Sequence, residues 1–206
     1  MLAETKTGQI SSQDGSVNSA RADRVGALVT TQAHGAFTES VVRGGVMEAC
    51  NTVAGIAPGT VLAVAPPIAL WNPPGSGKNL TVLKTSMGYI SGTFGAGSVM
   101  YGYIPSQVTV PTTGAEITPN NTLIGAPRGV GRVFAGSTFV SVPVPLRAGF
   151  IMGAFAGGAN PPVDTVDVVD GSIVIPPGTA FIMQAVAGAG TSPLALFGIM
   201  WEEMPI

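Results

Sequence analysis

Charge is what this sequence has least of. Only 10% of its 206 residues are Asp, Glu, Lys or Arg, against roughly 25% in an average soluble domain. The few charges are unevenly placed. Residues 1–48 hold nine of the twenty (Glu4, Lys6, Asp14, Arg21, Asp23, Arg24, Glu39, Arg43 and Glu48), and the rest of the chain holds eleven. A lone soluble monomer displays more charge than this. The expectation is a surface covered by neighbouring copies, or coated with Ser, Thr, Asn and backbone. The net charge of −2 provides no basic field for nucleic acid.

Histidine and cysteine occur once each, as His34 and Cys50. One cysteine excludes an intrachain disulfide and a cysteine-rich metal site. Zinc requires three or four ligands, which this pair does not supply without carboxylates. His34 lies before Gly35, and the chain has no G-x-S-x-G; it reads as a hydrogen-bonding turn residue rather than as the base of a nucleophile system. Aromatic residues make up 6%, thin for a glycan-stacking groove. Mean hydropathy is +0.44, yet apolar runs are short. The run 61–70 is broken by Pro66-Pro67, and the run 194–201 is far below the ~20 residues of a spanning helix. No membrane partner is expected. The opening MLAETKTGQISSQDGS has neither the basic nor the apolar part of a secretory signal.

What is abundant is punctuation. There are 29 glycines and 17 prolines, and between them short runs of β-formers recur. They fall at 24–33, 39–46, 60–64, 68–71, 80–90, 98–104, 107–110, 122–124, 130–134, 138–145, 150–155, 165–169, 172–175, 180–186 and 194–202. Short strands at regular spacing with turn signals predict an all-β sandwich or barrel. Asp170-Gly171, between two such runs, is a two-residue hairpin signal. Residues 47–50 could form a short helical turn, but no longer helical period survives the glycines. In 180–186, Phe181, Met183 and Ala185 share one face. Ile182 opposite is apolar too, which predicts a strand covered by a second sheet and by a partner subunit. Residues 1–23 are polar and aperiodic, and read as an extended N-terminal arm. The expected architecture is a jelly-roll-type β-sandwich, with the arm at 1–23 and a single domain at 24–206.

Several residue groups have the composition of chemical sites. Gly75-Ser76-Gly77-Lys78 resembles part of a phosphate-binding loop. However, the first glycine position of that motif falls on Asn72 and the hydroxyl position on Asn79, and Pro73-Pro74 remove two amides. A turn feeding a strand is the expectation. Asp164, Asp167 and Asp170 are acids spaced by three, which does not match the calcium-loop pattern. Glu202-Glu203 alternate across a strand, so they do not form a dyad by themselves. Arg128, Arg132 and Arg147 are the only arginines after residue 43; the stretch Arg128-Gly129-Val130-Gly131-Arg132 could touch phosphate, but the expectation is a salt bridge to a neighbour's Glu or Asp. No catalytic, cofactor-binding or metal-binding residue is assigned.

Asn72-Pro73-Pro74-Gly75-Ser76-Gly77-Lys78-Asn79, followed by a Leu/Val-rich strand and Gly88-Tyr89-Ile90-Ser91-Gly92-Thr93, resembles small virion structural proteins of tailed bacteriophages. The segment Gln32-Ala33-His34-Gly35 fits that group. So do Ile175-Pro176-Pro177-Gly178 and the ending Trp201-Glu202-Glu203-Met204-Pro205-Ile206. The resemblance implies a structural, non-enzymatic role in the virion and suggests a β-sandwich. The expected function is capsid decoration (cement): a homo-oligomer, expected to be a trimer, binding the major capsid protein or other virion proteins and assembled in the host cytoplasm. The alternatives are a tail or head-fibre component that binds a receptor or glycan, and a glycan-cleaving virion enzyme.

Overall fold

The computed structural model describes residues 35–154 and 165–206. Ser40–Ile206 form one compact unit, and the described residues 35–39 belong to another. The arm at 1–23, the strand expected at 24–33, His34 and Asp164 lie outside the described residues.

The described elements are a short helix α1 (Thr38–Val42) and eleven strands: β1 (Val46–Cys50), β2 (Ile68–Asn72), β3 (Lys78–Ser91), β4 (Gly97–Ile104), β5 (Ala115–Ile117), β6 (Asn120–Asn121), β7 (Arg132–Ala135), β8 (Val144–Met152), β9 (Thr165–Ile175), β10 (Thr179–Val186) and β11 (Leu194–Pro205). Two expectations at the start are reversed. The sequence pattern predicts a strand over 39–46 and a helical turn at 47–50, yet helix covers Thr38–Val42 and strand covers Val46–Cys50. Gly44, at φ +70°, takes up Val41 O and ends the helix. Val46, Met47 and Ala49 are then buried by pairing with β11.

All strand pairs are antiparallel and build two sheets packed together as a β-sandwich. One sheet has the order β6-β1-β11-β3-β9, the other β5-β7-β2-β10-β4-β8. The long strands pair in a nested way: β1 with β11, β2 with β10, β3 with β9 and β4 with β8. The chain therefore behaves as one long antiparallel ribbon folded over on itself. Between the sheets lie Trp201, Phe197, Ile199, Leu80 and Val82 from the first, and Ile68, Leu70, Tyr101, Phe181 and Met183 from the second. Tyr101 meets Phe181 edge-on at 5.4 Å between ring centroids.

A bulge sets the phase of β3. Leu83 has no partner in the β11 register, where Met200 faces Lys84 and Trp201 faces Val82. One extra residue flips every later side chain to the other face. Before it Leu80 and Val82 point into the core; after it Thr85, Met87 and Tyr89 do. The expected hairpin at Asp170-Gly171 is not formed. Both halves of β9 pair with β3, Val168 opposite Lys84 and Ile173 opposite Val82. Asp170 and Gly171 do have the positive φ of hairpin residues, 48° and 78°. Here that conformation bows four residues out of the ladder without reversing the chain, and β9 continues along β3 on both sides of the bow.

The runs 60–64, 107–110 and 122–124 are not strands. The first two belong to an extra layer that covers the outer face of the six-stranded sheet. Ala180 and Ile182 face outward there, packed with Ala69, Trp71, Ile104, Phe134 and Phe139, with Leu62 against them. The second face of β10 is thus covered by the chain's own loops, not by a partner subunit as expected. Gln107, 1% exposed, holds this layer. Its amide donates to Gly178 O at 2.6 Å and its carbonyl accepts Trp71 Nε1 at 2.8 Å. Its side chain accepts Val140 N at 2.9 Å and donates to Thr109 O at 2.6 Å. A chain this poor in charge pins its loops with neutral amides, which satisfy donor and acceptor together. Gln107→Ala should lower stability by roughly 2 kcal/mol, since two backbone groups lose their partners. Urea unfolding followed by tryptophan fluorescence checks this, because Trp71 sits under the layer.

Candidate interaction surfaces

The motif nearest to a catalytic signature is part of the scaffold. Gly75 and Gly77 adopt φ of +73° and +68° in a turn closed by Ser76 N to Pro73 O at 3.2 Å. Lys78 then begins β3 rather than a helix. Its Nζ lies 3.0 Å from Glu203 Oε2, whose side chain is fully buried. Glu203 also accepts the amides of Val130 at 3.0 Å and Gly131 at 2.8 Å, and Trp201 Nε1 at 3.4 Å. Burial pushes the carboxyl pKa up, but the two amides and Lys78 outweigh it and leave it below the ordinary value. The loop carrying Arg128-Gly129-Val130-Gly131-Arg132 wraps this carboxylate, and a Cβ at Gly129 would overlap it. Three features that look separate in sequence, the Gly-Lys turn, the Arg/Gly loop and the terminal Glu pair, are one buried tie.

Two of the arginines, Arg132 and Arg147, are engaged within the chain, and Arg128 is exposed. Arg132 pairs with Glu116, Nε to Oε1 at 2.7 Å, and holds that carboxyl below its usual range. Arg147 Nη2 lies 2.9 Å from Asp167 Oδ2. Asp167 also accepts the Tyr101 hydroxyl at 3.0 Å, and Tyr101 bonds to Thr85. This chain links β4 and β8 of one sheet to β3 and β9 of the other, and latches one side of the sandwich. Burial pushes the Tyr101 phenol far above its ordinary value, so it serves as a neutral hydrogen-bonding group. Tyr101→Phe should destabilise by about 1–3 kcal/mol, because Thr85 is buried and would lose its partner; thermal melts of both proteins test it. Asp170 is exposed and Asp167 is taken by Arg147 and Tyr101. Glu202 and Glu203 face opposite ways, Glu203 inward. Cys50 is an exposed free thiol, with its pKa raised by partial burial and by Glu48.

The covering layer presents an apolar, uncharged surface. No charged residue occurs between Glu48 and Lys78, between Lys84 and Glu116, or between Arg132 and Arg147. These three stretches contain the loops of the covering layer, which carries a set of exposed valines: Val61, Val64, Val108, Val110, Val140 and Val142. Phe139 N bonds to Val64 O, and Val140 N to the side chain of Gln107; these bonds bring Val64, Val140 and Val108 together. Contact surfaces are commonly built from apolar area without charge. The place of this layer is not legible in the sequence, because the valines come from three loops distant in sequence.

A second apolar feature is a cleft of about 450 Å³ at the side of the sandwich where β8 and β9 form the sheet edges, lined by Tyr103, Leu146, Ile173, Val174 and Phe181 among others. Both tryptophans are buried, Trp71 at 3% and Trp201 at 0% exposure, so neither offers a stacking platform for sugars. Compared with protein-family models, curated proteins and solved structures, the chain matches none.

Proposed function

We propose that this chain is a structural, non-enzymatic protein of a tailed-phage virion. In this reading it is a capsid decoration protein, which binds the outer head shell and stabilises it by self-association, as a trimer. Its fold is read as a jelly roll. The nested pairing of first strand with last, and so inward, supports this, since a double-sheet jelly roll is a rolled antiparallel ribbon. Viral capsid domains use that architecture, as do lectins and cupins, so the fold alone does not carry the function. The observation that carries it is the covering layer: loops without a single charge, presenting six exposed valines. Such a face adheres by burial, at roughly 25 cal/mol per Å² before the entropic cost of association. The partners are other copies of the chain and the major capsid protein.

The test is the copy number in purified particles of the encoding virus, by quantitative mass spectrometry. Copies on the order of hundreds are expected, because a shell component follows the symmetry of the shell. About three to a dozen copies would place the protein at a tail, fibre or portal vertex and overturn the decoration reading.

A further inference from the structure

We propose that the loop 121–128 of one copy seats Leu123 and Ile124 in the cleft beside β8 and β9 of a neighbouring copy, with Arg128 against Asp170 of that copy. The proposal rests on the self-associating reading above, and names the two surfaces that join. The loop is a fixed knob. Asn121 Nδ2 donates to Gly44 O and to Pro127 O, both at 2.9 Å, and its Oδ1 accepts Leu123 N at 2.9 Å. Thr122 N donates to Val46 O at 3.0 Å, and Ala126 N to Leu123 O at 2.9 Å. Past the tip, Glu203 holds the amides of Val130 and Gly131. On this base stand Ile124, 96% exposed, and Leu123, 40% exposed. Side chains presented by a loop that is already ordered lose little freedom on binding. Arg128 follows the clasp at Pro127; it is exposed and makes no ion pair among the described residues.

The cleft has the complementary character. Its volume of about 450 Å³ is walled by Tyr103, Leu146, Ile173, Val174 and Phe181, and Ser172 of the bow lines it too. Asp170 sits on that bow, exposed and without an ion pair among the described residues. An apolar socket with a carboxylate at its rim matches an aliphatic knob with a guanidinium behind it. Knob and cleft both belong to the compact unit Ser40–Ile206. The cleft lies at the Ile175 end of β9, the opposite end from Thr165. A copy cannot fill its own cleft. The loop springs from β6, and β6 and β9 are the two edges of one sheet, four strand spacings or about 19 Å apart. The loop is tied at both ends, so it does not cross that distance. A knob on one edge and a socket on the other make a head-to-tail contact between unlike patches, which builds a ring when the rotation closes. The trimer of the reading above is such a ring.

Complementation between two variants of the full chain tests this. One protein carries Ile124→Lys in the knob. The other carries Leu146→Lys in the cleft, with Val174→Lys as a second cleft variant. All three side chains are exposed in the single copy, and circular dichroism confirms that each variant is folded. Wild type and variants are run by sedimentation equilibrium, alone and mixed. The wild type is expected as a trimer and each variant alone as a monomer, with self-association weakened at least tenfold. The equimolar mixture of knob and cleft variants is expected to form a one-to-one dimer, because it holds one intact knob and one intact cleft. A variant that associates as the wild type does, or a mixture that stays monomeric, overturns the contact and leaves the self-associating reading in place. A wild type that is itself a monomer overturns that reading, and the contact with it.

Discussion

Replacing Glu203 by alanine is expected to lower stability by roughly 3–5 kcal/mol, the usual cost of removing one partner of a buried ion pair. For a domain of this size that is a fall of about 10 °C in Tm. The loss is large because the carboxylate is fully buried and serves two sheets' worth of surroundings at once: the 128–132 loop through two amides, β3 through Lys78, and Trp201 on its own strand. Without it, two amides lose their acceptor and a cavity opens under the loop. Lys78→Ala should cost about 1 kcal/mol, since the ammonium is one-third exposed and the amides keep their acceptor. The pH dependence follows in sign. The folded-state pKa of Glu203 lies below its ordinary 4.5, so its contribution is complete above 4.5 and declines as pH falls through the lower, folded-state value. Melting curves from pH 7 to 3 should show the wild type converging on Glu203→Gln at the acid end. A gap that stays constant over this range would contradict the assignment.

The pair Val108→Asp with Val140→Asp should leave the fold intact, because these side chains are 67% and 60% exposed. Association should nonetheless fall by at least a hundredfold. Burying a valine contributes on the order of 1.5 kcal/mol or more, and a buried unpaired carboxylate costs further. Sedimentation measures self-association, and co-pelleting with particles measures shell binding. A Thr118→Asp control, outside the three loops, should change neither. If the double variant self-associates and binds particles as the wild type does, the valine layer is not the adhesive face. The two assays also separate its uses: a loss in sedimentation alone assigns the layer to contacts between copies, and a loss in pelleting alone assigns it to the shell.

Much of this was legible in the residues. Runs 68–71, 80–90, 98–104, 180–186 and 194–202 are strands because β-branched and aromatic residues recur between glycine and proline breaks, and β2, β3, β4, β10 and β11 coincide with them. The structural role of Lys78 was readable from the prolines and asparagines where a phosphate loop needs glycine and hydroxyl. Three errors share one cause. The strands expected at 60–64 and 107–110, the hairpin at 170–171 and the partner expected over Ile182 follow from local pattern, while the outcome depends on what lies across the fold. Val61, Val108 and Val140 have strand-like surroundings, but Gln107 and Gln184 hold their loops by hydrogen bonds with partners distant in sequence.

Composition and spacing by themselves determined that this chain forms strands between turns and exposes little charge, because turn residues and β-formers act locally and a missing charge cannot be restored by folding. Only the tertiary structure decided which strands pair, that Leu83 shifts the phase of β3, that Glu203 is buried in contact with Lys78, and that uncharged loops from three places merge into one face. Each of these depends on contacts between residues far apart in sequence, whose energy no local window contains.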